Sequence, residues 1–172
     1  DTLGNQIRRD NYIYLDFYGG LTNTARYHFT YNSLGNIVNS KTLTFSNNQW
    51  VNANQQSWVF DEQNRQVFSL QQKWDALNNQ WLNEYKTEYN YEEVELKSNL
   101  AMGLSTKRSM FQWIPGQEWI PLSELVTITN ESGLYGETSE KQFDVNTQTW
   151  QNYYQYQYIW DLENLVQLFQ SL

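Results

Sequence analysis

Trp81-Leu-Asn-Glu-Tyr-Lys-Thr-Glu-Tyr-Asn-Tyr91 alternates for eleven residues. Its odd positions carry Trp81, Asn83, Tyr85, Thr87, Tyr89 and Tyr91, and its even positions carry Leu82, Glu84, Lys86, Glu88 and Asn90. A period of two with rings on one side and charges on the other is that of a half-buried strand. A helix would mix the two sets on one side. Trp150-Gln-Asn-Tyr-Tyr-Gln-Tyr-Gln-Tyr-Ile-Trp160 repeats the pattern, with Trp150, Asn152, Tyr154, Tyr156, Tyr158 and Trp160 expected on one face.

Working outward from these two stretches, the whole chain is a repeat. Trp50-Val-Asn52, Trp81-Leu-Asn83, Trp119-Ile-Pro121 and Trp150-Gln-Asn152 align, with Leu21-Thr-Asn23 as a degenerate fifth copy. Ten residues after each anchor stand Tyr31, Phe60, Tyr91, Thr129 and Trp160, each followed by Asn or an acid. Gly35, Asn64, Gly133 and Asn164 then stand four places after Tyr31, Phe60, Thr129 and Trp160. Asp or Asn opening a turn bonds forward to backbone amides, and Gly or Asn closing it tolerates positive φ. Positive φ is therefore expected at all four closing positions.

A shorter strand precedes each anchor and ends in Tyr14, Phe45, Trp74, Trp113 or Phe143, and the few residues between form a hairpin loop. Five such hairpins predict an all-β fold over residues 1–172, a single β-repeat domain. Its sheet is an antiparallel meander of about ten strands, curled into a barrel-like or two-layer form to cover its aromatic face. The turn motif is lost after the third copy, where residues 92–104 are expected to be an insertion formed by a loop or one short helix.

Composition excludes several functions. The 172 residues contain eight Trp, thirteen Tyr and eight Phe, too many rings for a disordered acidic chain. No Cys is present, so neither a disulfide framework nor a thiolate metal site can form. A formal charge of -8 disfavours nucleic acid, whose affinity comes largely from Lys and Arg at phosphates. No apolar run reaches the ~20 residues of a spanning helix. A membrane barrel would expose Asn52, Asn54, Asn83 and Asn152 to lipid, so a membrane-spanning chain is not expected. No signal peptide stands at Asp1.

The Trp-x-Asn triplets, with Tyr31-Asn-Ser-Leu-Gly35, Phe60-Asp-Glu-Gln-Asn64 and Trp160-Asp-Leu-Glu-Asn164, resemble the Trp-x-Asn and Tyr-Asp-x-x-Gly repeats of an uncharacterised family of secreted Bacteroides-type proteins. They are more distantly similar to the Tyr-Asp repeats of Rhs-type shells. The resemblance spans about Tyr12 to Asn164 and departs from the family pattern at Tyr91-Glu-Glu-Val-Glu95 and at Pro121. It implies an exported all-β domain, secreted, periplasmic or on the cell surface after removal of a signal peptide, with no catalytic residues to carry over.

The residues themselves offer little catalysis. His28, the one histidine, alternates with Arg26 and Thr30 on a polar face and has no relay partner that the sequence specifies. Asp144-Val-Asn146 is the nearest thing to an oxygen-ligand calcium site and reads more simply as a hairpin turn. Glu92, Glu93 and Glu95, or Glu137 with Glu140, are the only carboxylate groupings that suggest glycoside hydrolysis. No metal or other cofactor is expected. Candidate ligand-binding residues are the rim tryptophans Trp50, Trp74, Trp81, Trp113, Trp119 and Trp150. They read either as platforms for sugar rings or apolar side chains, or as cross-strand packing; if they are core, Trp81→Ala costs about 3–5 kcal/mol. The expectation is a non-enzymatic module binding a glycan or envelope protein, with a purely structural module or a Glu-pair enzyme as alternatives. A homodimer would also cover the rings.

Overall fold

A computed structural model of the chain describes residues 4–15, 20–95, 102–116, 118–130 and 135–159. They form ten strands: β1 Arg8–Leu15, β2 Gly20–Tyr31, β3 Ile37–Ser46, β4 Gln49–Phe60, β5 Gln66–Asp75, β6 Gln80–Glu95, β7 Met102–Trp113, β8 Trp119–Asn130, β9 Tyr135–Asp144 and β10 Thr149–Ile159. The sheet follows chain order from β1 to β10, and every register determined is antiparallel. The meander expected from five hairpins is thus present, with no helix among the described residues. Two compact units divide within β6, Asp1–Tyr85 and Lys86–Leu172.

The turns explain why the meander forms. Asn32 Oδ1 accepts the N–H groups of Leu34 and Asn36, both at 3.0 Å, and Gly35 follows at φ +84°. One repeat later Asp61 Oδ1 accepts the Arg65 N–H at 2.8 Å, and Asn64 stands at φ +64°. Both closing residues have the positive φ expected of them. Gly133 and Asn164 lie outside the described residues. At the opposite ends of the strands, Asn47 and Asn48 make a two-residue turn at φ 50° and 60°, the double positive φ that suits the twist of a hairpin. Asp75 accepts the N–H groups of Leu77 and Asn78, and Asp144 accepts those of Asn146 and Thr147. Asp144-Val-Asn146 is accordingly a hairpin turn.

The expected insertion at 92–104 is narrower than its spacing suggested. β6 continues through Glu95 and β7 begins at Met102, so residues 92–95 and 102–104 of that stretch are strand; residues 96–101 lie outside the described residues.

The unbroken period of two needs a larger correction. In the first unit, Thr24 and Ala53 each sit opposite no partner; in the second, Leu122 and Tyr153 do the same. Each is a β-bulge three residues after its anchor. An inserted residue shifts the parity of everything beyond it. Trp150 pairs with Phe143 and Tyr154 with Glu140, three places apart on the regular β9, so the two rings face opposite sides of the sheet. Asn52 and Asn54 pair with the adjacent Leu43 and Thr42, and therefore also part company. One face does not collect all the aromatics of a copy. It carries the anchor pairs before the bulge; after it come Arg26, His28 and Thr30 on β2 and Gln55 and Ser57 on β4, but Glu124 with the apolar Val126 and Ile128 on β8.

Candidate functional site

Four hairpin ends, two in each unit, bring two rings together. In the first unit Phe45 and Trp50 lie 5.2 Å apart at 59°, and Trp74 and Trp81 lie 5.0 Å apart at 65°. In the second unit Trp113 and Trp119 are 5.3 Å apart at 63°, and Phe143 and Trp150 are 5.3 Å apart at 68°. These are tilted, edge-on geometries in which the positive ring edge meets the negative face, worth about 0.5–1.5 kcal/mol beyond area burial. All six sequence-predicted tryptophans fall into these pairs. None is a dry core residue: Trp50, Trp74, Trp81, Trp113 and Trp119 are half-buried, while Phe45 is 43% and Trp150 42% exposed. No large side chain among the described residues is fully buried.

Cations cover three of the anchors. The Arg26 guanidinium carbon stands 4.2 Å from the Trp50 ring centre, Lys41 Nζ 5.6 Å from Trp81, and Lys86 Nζ 5.4 Å from Trp119 and 4.4 Å from Phe111. All lie within the ~6 Å at which a ring quadrupole attracts a cation. Arg26 is itself held at 3.0 Å by Asp10, which Arg8 also binds. The hydrogen bond from Arg8, reinforced by Arg26, lowers the Asp10 carboxyl to about 2. Trp150 carries no cation among the described residues and is the most open anchor.

Carboxamides extend the anchor face of the first unit past the bulge. Gln55 Nε2 donates to Gln72 Oε1 at 2.6 Å, and Gln72 Nε2 donates to Asn83 Oδ1 at 2.8 Å, a ladder across β4, β5 and β6. On the other face Gln71 donates to Glu84 at 3.2 Å. Neither the cations nor the ladder was singled out from the sequence. A signal exists: five places after the anchors stand Arg26, Gln55, Lys86, Glu124 and Gln155, a wholly polar column within the repeat.

The groupings read for catalysis are dispersed. Glu137 and Glu140 are three places apart on regular β9 and face opposite sides of the sheet. Glu92 accepts a hydrogen bond from Asn90 at 2.6 Å on the exposed end of β6. His28 is exposed between Arg8 on β1 and Lys41 on β3. No cluster of three or more metal-ligating side chains occurs among the described residues. No helix among them is long and apolar enough to cross a membrane.

The chain matches no known protein family, and no curated protein is significantly similar to it. A solved structure shares its fold. A protein of unknown function from Bacteroides fragilis aligns with a TM-score of 0.57 at 11% identity, over 77% of this chain and 90% of that one. Two DUF3836 family proteins align more loosely. The one from Bacteroides vulgatus gives 0.45 at 19% identity over 58% of this chain and 91% of its own. The one from Parabacteroides distasonis gives 0.43 at 14% over 72% and 94%.

Proposed function

We propose that the chain is a non-enzymatic binding module, exported to the bacterial cell envelope, whose hairpin-end aromatics engage a glycan or an envelope protein. The observation that carries this reading is the edge-on ring pairs, two in each unit, left half-buried or exposed on hairpin ends, with Trp150 and Phe45 the most open. Rigid rings offer contact area at small entropic cost, and neighbouring carboxamides supply donors and acceptors of the kind that fix a polar ligand. Glu137 and Glu140 on opposite faces give no common cleft for acid and nucleophile, which supports a binding rather than a hydrolytic role.

A structural or assembly module is the second reading, favoured by one observation: Arg26, Lys41 and Lys86 already occupy the faces of Trp50, Trp81 and Trp119. Glycan-array and envelope pull-down screens of wild type and Trp150→Ala separate the two. A binding module retains a ligand and loses it with Trp150. If wild type retains none, or if the variant retains the same ligand equally well, the rim is structural.

A further inference from the structure

The formal charge of -8 is unevenly placed. Asp1–Tyr85 holds six Lys and Arg against seven Asp and Glu, whereas Lys86–Leu172 holds five against twelve. Within the first unit the register brings three of the six cations to one face. Arg8, His28, Lys41, Gln55 and Gln72 are successive partners across β1 to β5, and Asp10, Arg26 and Leu43 are partners in the next row. All eight side chains share the face of Phe45 and Trp50. Asp10 is the one carboxylate among them, and Arg8 and Arg26 both bind it. Three cations on this face thus meet one carboxylate.

Two of the cations lie against rings. Arg26 crosses from β2 to Trp50 on β4, and Lys41 crosses from β3 to Trp81 on β6. A guanidinium stacked on indole uses its flat face, and its edge stays open to a carboxylate except for the Nε–H that Asp10 takes. Lys41 has no carboxylate partner among the described residues. Arg8 gives Asp10 two of its five N–H groups and stands exposed at the end of the row. Gln55 and Gln72 each donate one amide hydrogen along their ladder and keep the second. Thr30, Asn39 and Ser57 make a further polar row beside them.

We infer that this face of the first unit binds an acidic glycan, a pyranose chain bearing uronate carboxylates. Arg8, Arg26 and Lys41 are its anion contacts, and Gln55 and Gln72 bond its hydroxyls. The site goes beyond the rim reading and does not depend on Trp150, which lies in the other unit. Trp50 and Trp81 act here as supports that hold the cations. With those ring faces occupied, the surface offers charge and hydrogen bonds rather than apolar pockets, which suits a hydroxylated polyanion better than an acidic peptide. The two supports stand two strands apart, roughly 10 Å in a sheet, a span that two linked pyranoses cover.

Calorimetric titration of the intact chain at low salt with hexagalacturonate, hexamannuronate and hexaguluronate tests the inference, with maltohexaose as neutral comparator and poly-glutamate as acidic peptide. At least one hexauronate is expected to bind with Kd below about 1 mM and to weaken as salt is added. Lys41→Gln and the exposed Arg8→Gln should each weaken it about five-fold or more while still melting cooperatively. Lys73→Gln removes the same charge from the opposite face, where Lys73 pairs with Asn54, and should leave Kd unchanged. Equal weakening by Lys73→Gln and Lys41→Gln would reduce the attraction to net charge and overturn the site. Tighter binding of maltohexaose than of any hexauronate overturns the acidic class, and tighter binding of poly-glutamate makes the partner an acidic protein. Uronate binding lost in Trp150→Ala but kept in Lys41→Gln overturns this site and leaves the rim reading standing. No saturable binding to any hexauronate overturns the inference alone.

Discussion

Gly35, at φ +84°, and Asn64, at φ +64°, close equivalent turns with different side chains. A Cβ at Gly35 meets nothing closer than 4.0 Å, so the constraint there is backbone conformation rather than space. Gly35→Val should therefore cost about 1–2 kcal/mol, because a β-branched side chain is strained at positive φ. Asn64→Gly loses only the exposed contact that Asn64 accepts from Asn36 and should stay within about 0.5 kcal/mol of wild type. Urea melts of the two variants check the order, and an equal cost for both would show that the turns are not set by φ. Trp81 carries a second residue-scale consequence. It is half-buried and pairs edge-on with Trp74, so Trp81→Ala should fall short of a core deletion, at about 1–2 kcal/mol. A double-mutant cycle with Trp74→Ala should return a coupling of about 0.5–1.5 kcal/mol; a loss of 4 kcal/mol or more would mark the anchor as core after all. Asp10 adds a pH dependence. Hydrogen bonding from Arg8 and Arg26 lowers its carboxyl to about 2 in the folded chain, below its ordinary value near 4. Its contribution is present above about pH 4 and is lost as pH falls toward about 2. Asp10→Asn should flatten the acid limb of the stability profile over that interval, and a parallel loss in variant and wild type would remove Asp10 from the account.

At the scale of the strand, the bulge decides what the sequence reveals and what it hides. The anchors, the hairpin loops and the Asn32 and Asp61 turns were legible because each depends on local chemistry: a ring at a strand end, an Asx side chain reaching forward, a residue that tolerates positive φ. Thr24, Ala53, Leu122 and Tyr153 share no side-chain type, and a bulge left no compositional mark at any of them. The parity of Tyr154 against Trp150 was consequently read wrongly, and with it the idea of one aromatic face. The cations over Trp50, Trp81 and Trp119 were hidden for a related reason: the place five residues after an anchor marks Arg26 as polar, but not that it reaches a ring two strands away. The bulge makes its own prediction. Deleting Ala53 removes only the unpaired residue: Asn54 and Gln55 stay opposite Thr42 and Lys41, Gln55 stays on the Trp50 face, and the Gln55–Gln72–Asn83 ladder is kept. The deletion should therefore destabilise less than Gln55→Ala, which cuts the ladder. A larger loss for the deletion in urea melts would show that the extra residue is needed to hold the register.

For the whole molecule, the strand order sets the two terminal strands apart by their charge. β1 carries Arg8, Arg9 and Asp10, while β10, Thr149–Ile159, contains no charged residue, no Pro and no Gly. Among the described residues no strand pairs with the outer side of β10. Uncharged Tyr- and Gln-rich strands are good templates for another strand, and proteins that stay monomeric blunt such edges with Lys or Pro. The formal charge of -8 opposes association only over distances shorter than about 10 Å at 0.1 M salt. Sedimentation velocity should therefore show self-association that grows with protein concentration and with added salt. Gln151 is the position at which to interrupt it: it is exposed, and its side-chain nitrogen lies 3.3 Å from Asp144 Oδ2, so an ammonium there gains a carboxylate neighbour instead of losing a packing contact. Gln151→Lys should shift the chain toward monomer without lowering its melting temperature. A wild type that sediments as a single monomer at every concentration and salt, or a Gln151→Lys variant that associates as strongly as wild type, would show that β10 is not the adhesive edge.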